Sequence, residues 1–196
     1  MRPLPNIVAH GQRPHVIACT LCHLPSRNGH PESASISGLS VKYIIEQMHA
    51  FRDGNRQNIR APAMTEMAYA ISEKDLREAA VYFSRIPRAK QKWMRVVETS
   101  RAPANHVGAG GARFFDKGGA TVPLGPDMIY EIAESEEVEL RNDHTGFVDY
   151  VPMGSLAKGR IVALGNRGQF RSCGSCHGAD FRGRGDVPRL TGRSAY

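Results

Sequence analysis

The sequence predicts a mainly α fold: two small helical domains built alike, the second incomplete, joined by a long irregular connector with candidate short strands. Three observations carry this. A five-residue motif occurs twice, as Cys19-Thr20-Leu21-Cys22-His23 and as Cys173-Gly174-Ser175-Cys176-His177. The residues around the two copies match at the same offset of 154 (173 − 19) without a gap, which marks two modules of one fold. Capped stretches of helical period fill residues 40–87, whereas 88–154 has no long apolar period. The boundaries are therefore 1–90, 91–154 and 155–196.

The motif has its own chemistry. Two Cys at i and i+3 followed at once by His is the attachment pattern of c-type haem. In a short turn the two sulfurs can reach the two vinyl groups of one porphyrin, and the next residue lies under the ring as proximal iron ligand. This makes Cys19, Cys22, Cys173 and Cys176 the thioether positions and His23 and His177 the iron ligands, with all four cysteines of the chain used. The alternatives fit less well. A zinc ribbon wants its second Cys pair about 15–20 residues on, and a thioredoxin-like motif has no need of the His twice.

The duplication extends beyond the motif. Ile7-Val8-Ala9-His10-Gly11-Gln12-Arg13 aligns with Ile161-Val162-Ala163-Leu164-Gly165-Asn166-Arg167, Gly29 with Gly183, and Ile36-Ser37-Gly38-Leu39-Ser40 with Leu190-Thr191-Gly192-Arg193-Ser194. The second copy stops at Tyr196, where the first begins its next helix, so a C-terminal truncation is expected.

In chain order, 5–18 reads as a short helix with Pro3 and Pro5 near its start. Residues 24–39, rich in Pro, Ser, Gly and Asn, read as a loop wrapping the haem edge. Ser40 caps a helix to about Arg52, with Tyr43, Ile44, Gln47, Met48 and Phe51 on one side and Gly54 at its end. Residues 55–63 read as loop. Ser72, with Asp75 three residues on, starts the last helix, whose core face is Leu76, Ala79, Ala80 and Phe83 and which Pro87 stops. Beyond it Trp93 reads as a packing anchor between module and connector. Residues 95–98 and 146–151 are candidate strands of an extended connector or small hairpin. The acidic run Glu131, Glu134, Glu136, Glu137 and Glu139 reads as a solvated face.

Hydrophobic content of 41% with 23% charged residues is that of a globular protein, and no apolar run approaches a membrane span. The net charge of +7 is spread out, without the basic–aromatic clusters of nucleic-acid binding; it suits docking to an acidic redox partner. Haem c attachment implies a periplasmic or equivalent compartment. Met1-Arg2-Pro3-Leu4-Pro5 shows no charged region leading into an apolar one, so the leader that this compartment requires is expected to be missing or removed.

The distal ligand of the first haem should be a Met in a loop after the helix that follows the motif, and Met64 and Met67 both qualify by position. With its two motifs, Ile36-Ser37-Gly38-Leu39, the Tyr43…Gln47…Phe51…Gly54 helix and Met64-Thr65 before Ile71-Ser72-Glu73-Lys74-Asp75-Leu76, the chain resembles the tandem dihaem cytochromes similar to cytochrome c4. The resemblance covers 5–87 and 155–196, the connector matching only loosely through 146–155, and it implies two class I cytochrome c domains. It selects Met64 as the iron ligand, Met67 being core. It also implies that a backbone carbonyl orients each proximal His: that of Pro188 in the second module and that of Ala34, where the first lacks the proline. The offset puts the second module's equivalent of Met64 near position 218, beyond the chain, and Met153 is a weak substitute; the second module is expected to be loosely folded. His10 and His15 are minor distal candidates, His30, His49, His106 and His144 background, and Arg182, Arg184 and Arg189 candidate propionate contacts or plain surface.

These expectations converge on an electron carrier, not an enzyme, which passes single electrons between redox proteins such as an oxidase, reductase or dehydrogenase. The alternatives are a haem enzyme or enzyme subunit (a dihaem peroxidase or a dehydrogenase's cytochrome subunit) and a gas sensor at an open second haem. A peroxidase would need an open haem and a distal acid–base group.

Overall fold

In the computed structural model the described residues are 4–24, 33–57, 61–87, 93–108, 111–140, 142, 145–165 and 170–194. The chain forms two compact units, Met1–Ala89 and Lys90–Tyr196.

The first unit is helical. α1 (Asn6–Ala9) is far shorter than the helix expected over 5–18. Gly11 turns the chain with a positive φ of 70°, and a Cβ there would lie 2.3 Å from the Val16 carbonyl oxygen. The backbone then closes on itself in a bridge between Gln12 and Val16, which Pro14 between them, lacking an N–H, does not oppose. α2 (Val41–Arg52) starts as expected: the Ser40 hydroxyl accepts from Tyr43 N at 3.0 Å. α3 (Ala61–Ala70) begins where loop was expected, because Pro62 falls in its first turn, where a missing N–H costs nothing. α4 (Glu73–Arg85) is capped by Ser72, which accepts from Asp75 N at 3.1 Å and donates to the Asp75 carboxylate.

The faces chosen by periodicity are the buried ones. Leu76, Ala79, Ala80 and Phe83 of α4 join Ile44, Met48 and Phe51 of α2 and Ile7 and Val8 of α1 in one core. Each large side chain so buried contributes roughly 1.5–3 kcal/mol.

The second unit corrects the fold class. The chain is not mainly α: among the described residues helix takes 36% and strand 19%, and the strands build a five-stranded mixed sheet where an irregular connector was expected. The strands are β1 (Met94–Glu98), β2 (Arg101–Pro103), β3 (Asn105–Val107), β4 (Arg113–Phe115), β5 (Thr121–Pro123), β6 (Tyr130–Ala133) and β7 (Phe147–Val151). The sheet order is β1-β7-β6-β4-β3, and β2 pairs with β5 in a separate ribbon. The two candidate strands at 95–98 and 146–151 are β1 and β7, neighbours in parallel rather than a hairpin. The sheet has its own core of Trp93, Ala112, Phe114, Ala133, Val138 and Phe147. Trp93 belongs to it, edge-on to Phe147 with ring centroids 6.0 Å apart. Gly146 permits the close approach beside them, since a Cβ there would lie 2.8 Å from the Trp93 carbonyl oxygen. After the sheet come α5 (Ser155–Ala163) and α6 (Gly174–His177).

The acidic run divides accordingly. Glu134, Glu136, Glu137 and Glu139 are exposed, Glu134 pairing with Arg95, but Glu131 is buried in the sheet, because the β6 register turns it towards Asp149.

Candidate functional site

The two Cys-x-x-Cys-His turns have matching backbones. The N–H groups of Cys22 and His23 donate to the Cys19 carbonyl at 3.3 and 2.9 Å; those of Cys176 and His177 donate to the Cys173 carbonyl at 3.3 and 2.9 Å. Gly165, the counterpart of Gly11, also has a positive φ, of 97°, and a Cβ there would strike the Phe170 carbonyl oxygen at 2.7 Å, as one at Gly11 would strike that of Val16. Each turn therefore leaves its helix through a tight reversal that only glycine fits.

Around the first turn, Thr20 Oγ1 donates to the Val8 carbonyl at 3.1 Å and Ser33 Oγ to the Cys22 carbonyl at 2.5 Å. Sequence reasoning singled out neither residue; a hydroxyl inside the motif and one ten positions on give no pattern of their own.

The imidazoles are set by backbone carbonyls. His23 Nδ1 donates to the Ala34 carbonyl at 2.8 Å, and His177 Nδ1 donates to the Pro188 carbonyl at 2.6 Å. With Nδ1 occupied, Nε2 is the ring nitrogen left for a metal, the orientation that a carbonyl partner imposes on a ligating histidine. The Phe83 ring stands edge-on to His23, centroids 6.4 Å apart. Burial lowers the His23 pKa, against the opposing pull of the Ala34 carbonyl, so the neutral form that a metal needs is favoured.

The Cys19 thiol is ill suited to exchange. All four thiols are unbridged, and burial pushes the Cys19 thiol up to about 11. Thiol–disulfide centres work by the opposite shift, a lowered pKa. Among the described residues no group of three or more His, Cys, Asp or Glu gathers as a metal site.

Met64 and Met67 both lie on α3 against the first core. The Met67 sulfur accepts from Ile17 N at 3.4 Å, a packing role. His10, His15 and Met153 are exposed, His49 pairs with Glu73 and His106 with Asp116. His30 and His144 lie outside the described residues, as does half of the loop expected at 24–39. Of the candidate propionate contacts, Arg184 donates to the Ser175 carbonyl, Arg182 pairs with Asp180, and Arg189 is buried. A groove of ≈ 540 Å³ runs along α5 beside the second turn, lined by Leu156, Gly159, Ala163, Leu164 and Phe181 among others.

Comparison with known proteins settles the family. The chain is 34% identical over 67 residues to cytochrome c-554(548) of Halomonas halodenitrificans, an alignment that spans 34% of this chain and 81% of that protein. The chain belongs to the c-type cytochromes. Membership implies covalently bound haem c and electron transfer as the general function. The residues fit that group, with a pair of thiols, an imidazole presenting Nε2 and a carbonyl steadying it at each turn. Among solved structures, the thiosulfate dehydrogenase TsdBA of Marichromatium purpuratum shares this cytochrome's fold at a TM-score of 0.57 and 19% identity; the match covers 96% of this chain and 29% of that one. Cytochrome c4 of Acidithiobacillus ferrooxidans aligns at a TM-score of 0.48 and 19% identity, over 89% of this chain and 72% of that one. No family model matches the chain.

Proposed function

We propose that this cytochrome binds two haems and passes single electrons between redox proteins on the periplasmic side of a membrane. Cys19, Cys22 and His23 hold the first haem, with Met64 as its distal ligand; Cys173, Cys176 and His177 hold the second. The domains are 1–90 around the first haem, 91–154 as the sheet, and 155–196 around the second. The carrying observation is the repetition of one hydrogen-bonded turn, with the same backbone bonds to Cys19 and Cys173 and the same carbonyl-to-Nδ1 contact on each His. That repetition supports an internal duplication in which both motifs serve the same end.

When bound, each haem supplies an iron that changes charge by one electron. The protein's part is to hold it. The thiols fix the ring, and the Ala34 and Pro188 carbonyls hold each imidazole by Nδ1 and fix its angle, leaving Nε2 for the iron. Phe83, edge-on to the ring and buried in the α1–α4 core, packs against His23. Met64 is favoured over Met67 because the Met67 sulfur is already an acceptor for Ile17 N. A six-coordinate iron of this kind transfers electrons rather than transforming a substrate. The net charge of +7 favours an acidic face on the partner.

A second reading, a haem enzyme or the cytochrome subunit of one, has one observation in its favour: the fold shared with part of a thiosulfate dehydrogenase. The two readings separate at the iron.

The test is intact mass with a pyridine haemochrome assay, after expression with a periplasmic leader and haem-attachment machinery. Two haems per chain, low-spin and unreactive to peroxide, are expected. No haem would refute the assignment of both motifs, and rapid reaction with peroxide, or turnover of thiosulfate, would favour the enzyme.

A further inference from the structure

The sheet holds a pair of acids that electron transfer through the haem turns does not call upon. Glu131 on β6 and Asp149 on β7 are directly opposed in the antiparallel register. They are 7% and 4% exposed. Asp149 hydrogen-bonds to Glu131, yet its Oδ1 is buried and, among the described residues, has no hydrogen-bond partner. Two carboxylates this close and this dry cannot both be ionised cheaply, so the pair holds a proton between them.

The pair is tied to the second haem turn by a short piece of chain. Ser194 Oγ lies 2.7 Å from both Glu131 carboxylate oxygens and donates to them. Going back along the chain, Gly192 turns with a φ of 67°, Leu190 N donates to the Phe181 carbonyl at 2.9 Å, and Arg189 is buried. Next to Arg189 is Pro188, whose carbonyl holds His177 Nδ1. A change in charge at Glu131 and Asp149 therefore acts on the segment that sets the His177 ring. Of the charged groups on the neighbouring strands, Glu98 of β1 shares the pair's face and accepts from Leu156 N, whereas Arg95 of β1 and Arg113 of β4 alternate to the other face, with Glu134 and Tyr130 respectively; Arg189 and Arg193 lie in the segment itself. The β1 residue opposite Asp149 is Val96, which is uncharged.

We propose that Glu131 and Asp149 are proton-linked positioning residues for the second haem: they clasp the 188–194 segment through Ser194, and that segment orients His177. In the pH range where the pair is only partly protonated, an electron arriving from a donor protein draws a proton from solvent onto the pair, up to one, so that the electron's charge is offset; when the electron leaves, that proton returns to solvent. This rests on the assignment of a haem to Cys173, Cys176 and His177.

The burial that isolates the pair pushes Asp149 up to about 8, with the Glu131 hydrogen bond and charge adding to it. The exchange therefore falls in the neutral to mildly alkaline range. A tenfold tighter hold on the proton when the iron is reduced would appear as a fall of about 59 mV in the second haem's potential across that range.

The experiment is a spectroelectrochemical titration of the haem-loaded chain from pH 6 to 9, with haem stoichiometry measured first and the first haem as internal reference. In the wild type the second potential should fall with pH. In Asp149→Asn, and in Glu131→Gln as an independent variant, it should be flat while the first potential is unchanged. Ser194→Ala, which leaves both acids in place, should weaken the slope. Infrared difference spectra should show a protonated carboxyl band at pH 7 that Asp149→Asn removes. Two haems with pH-independent potentials, or a slope that survives both acid variants, would overturn the proposal alone. A single haem at Cys19 and Cys22 would overturn the second site and this proposal together.

Discussion

The acid pair makes a prediction about stability that does not need the haem. Asp149 has an ordinary pKa of 3.8, and in the fold burial first, then the bond to and charge of Glu131, raise it to about 8. Between those values the folded protein keeps a proton that the unfolded chain has released. Stability must therefore fall as pH rises through this window, by about 1.4 kcal/mol per unit, and the loss is complete above the folded pKa. Asp149→Asn keeps the shape but has no proton to lose. Relative to wild type it should gain roughly 3 kcal/mol between pH 5 and pH 7, since two units of that slope are removed. Urea unfolding at pH 5, 6, 7 and 8 measures this, and Trp93 is a suitable reporter: it is the only tryptophan in the sequence and sits in the core of the same sheet. Comparing variant with wild type at each pH cancels the titrating groups outside the pair. If the difference between them is constant from pH 5 to 7, the carboxyl is ionised in the folded protein and the reasoning is wrong.

Other outcomes are expected of the first unit. Phe83→Ala removes a ring that is 1% exposed and should cost about 3–5 kcal/mol by thermal unfolding, with a changed haem spectrum because the ring also packs on His23. Ser72→Ala should cost about 1 kcal/mol through loss of the α4 cap. Gly11→Ala and Gly54→Ala meet the same φ of 70°, but only at Gly11 would the new Cβ strike backbone. Gly54→Ala should cost about 1–2 kcal/mol, and Gly11→Ala clearly more in the same melt. Met64→Ala should convert the first haem to a high-spin, ligand-accessible form, whereas Met67→Ala should lower stability and leave the spectrum low-spin.

The legible parts of this chain were those whose signals are local. The Cys-x-x-Cys-His turns are contiguous, and Ser40, Ser72 and the α4 stripe lie within one or two helical turns of their partners. The helix expected at 5–18 failed because the pattern was followed past Gly11, where a steric need three-dimensional in origin ends it. The sheet was hidden for a different reason. β2, β3, β4 and β5 have three residues each, too few to establish an alternation, and β1 is largely exposed. β7 is buried nearly throughout, since it lies between β1 and β6, and so shows no alternation either. Glu131 and Asp149 followed suit. Each is an unremarkable acid in sequence, and only the β6–β7 register puts them face to face. For the distal side of the first haem, spacing left two methionines open and the resemblance selected Met64; both lie on α3, and the bond from Ile17 N to the Met67 sulfur supports that proposal.

The parallel pairing of β1 with β7 has a consequence for the order in which the chain takes shape. Met94 sits beside Phe147, so β1 has no partner until everything between them has emerged and looped back. α2, α3 and α4 need only one another and α1, all within the first 89 residues. Closing so long a loop is slow compared with docking neighbouring helices. During synthesis the unit that carries Cys19 and Cys22 can therefore be compact while β1 still waits, an exposed edge in need of a strand not yet made. A chain stalled before Phe147 should hold its first unit and lack its sheet, and such a species would be prone to pair β1 with the wrong neighbour.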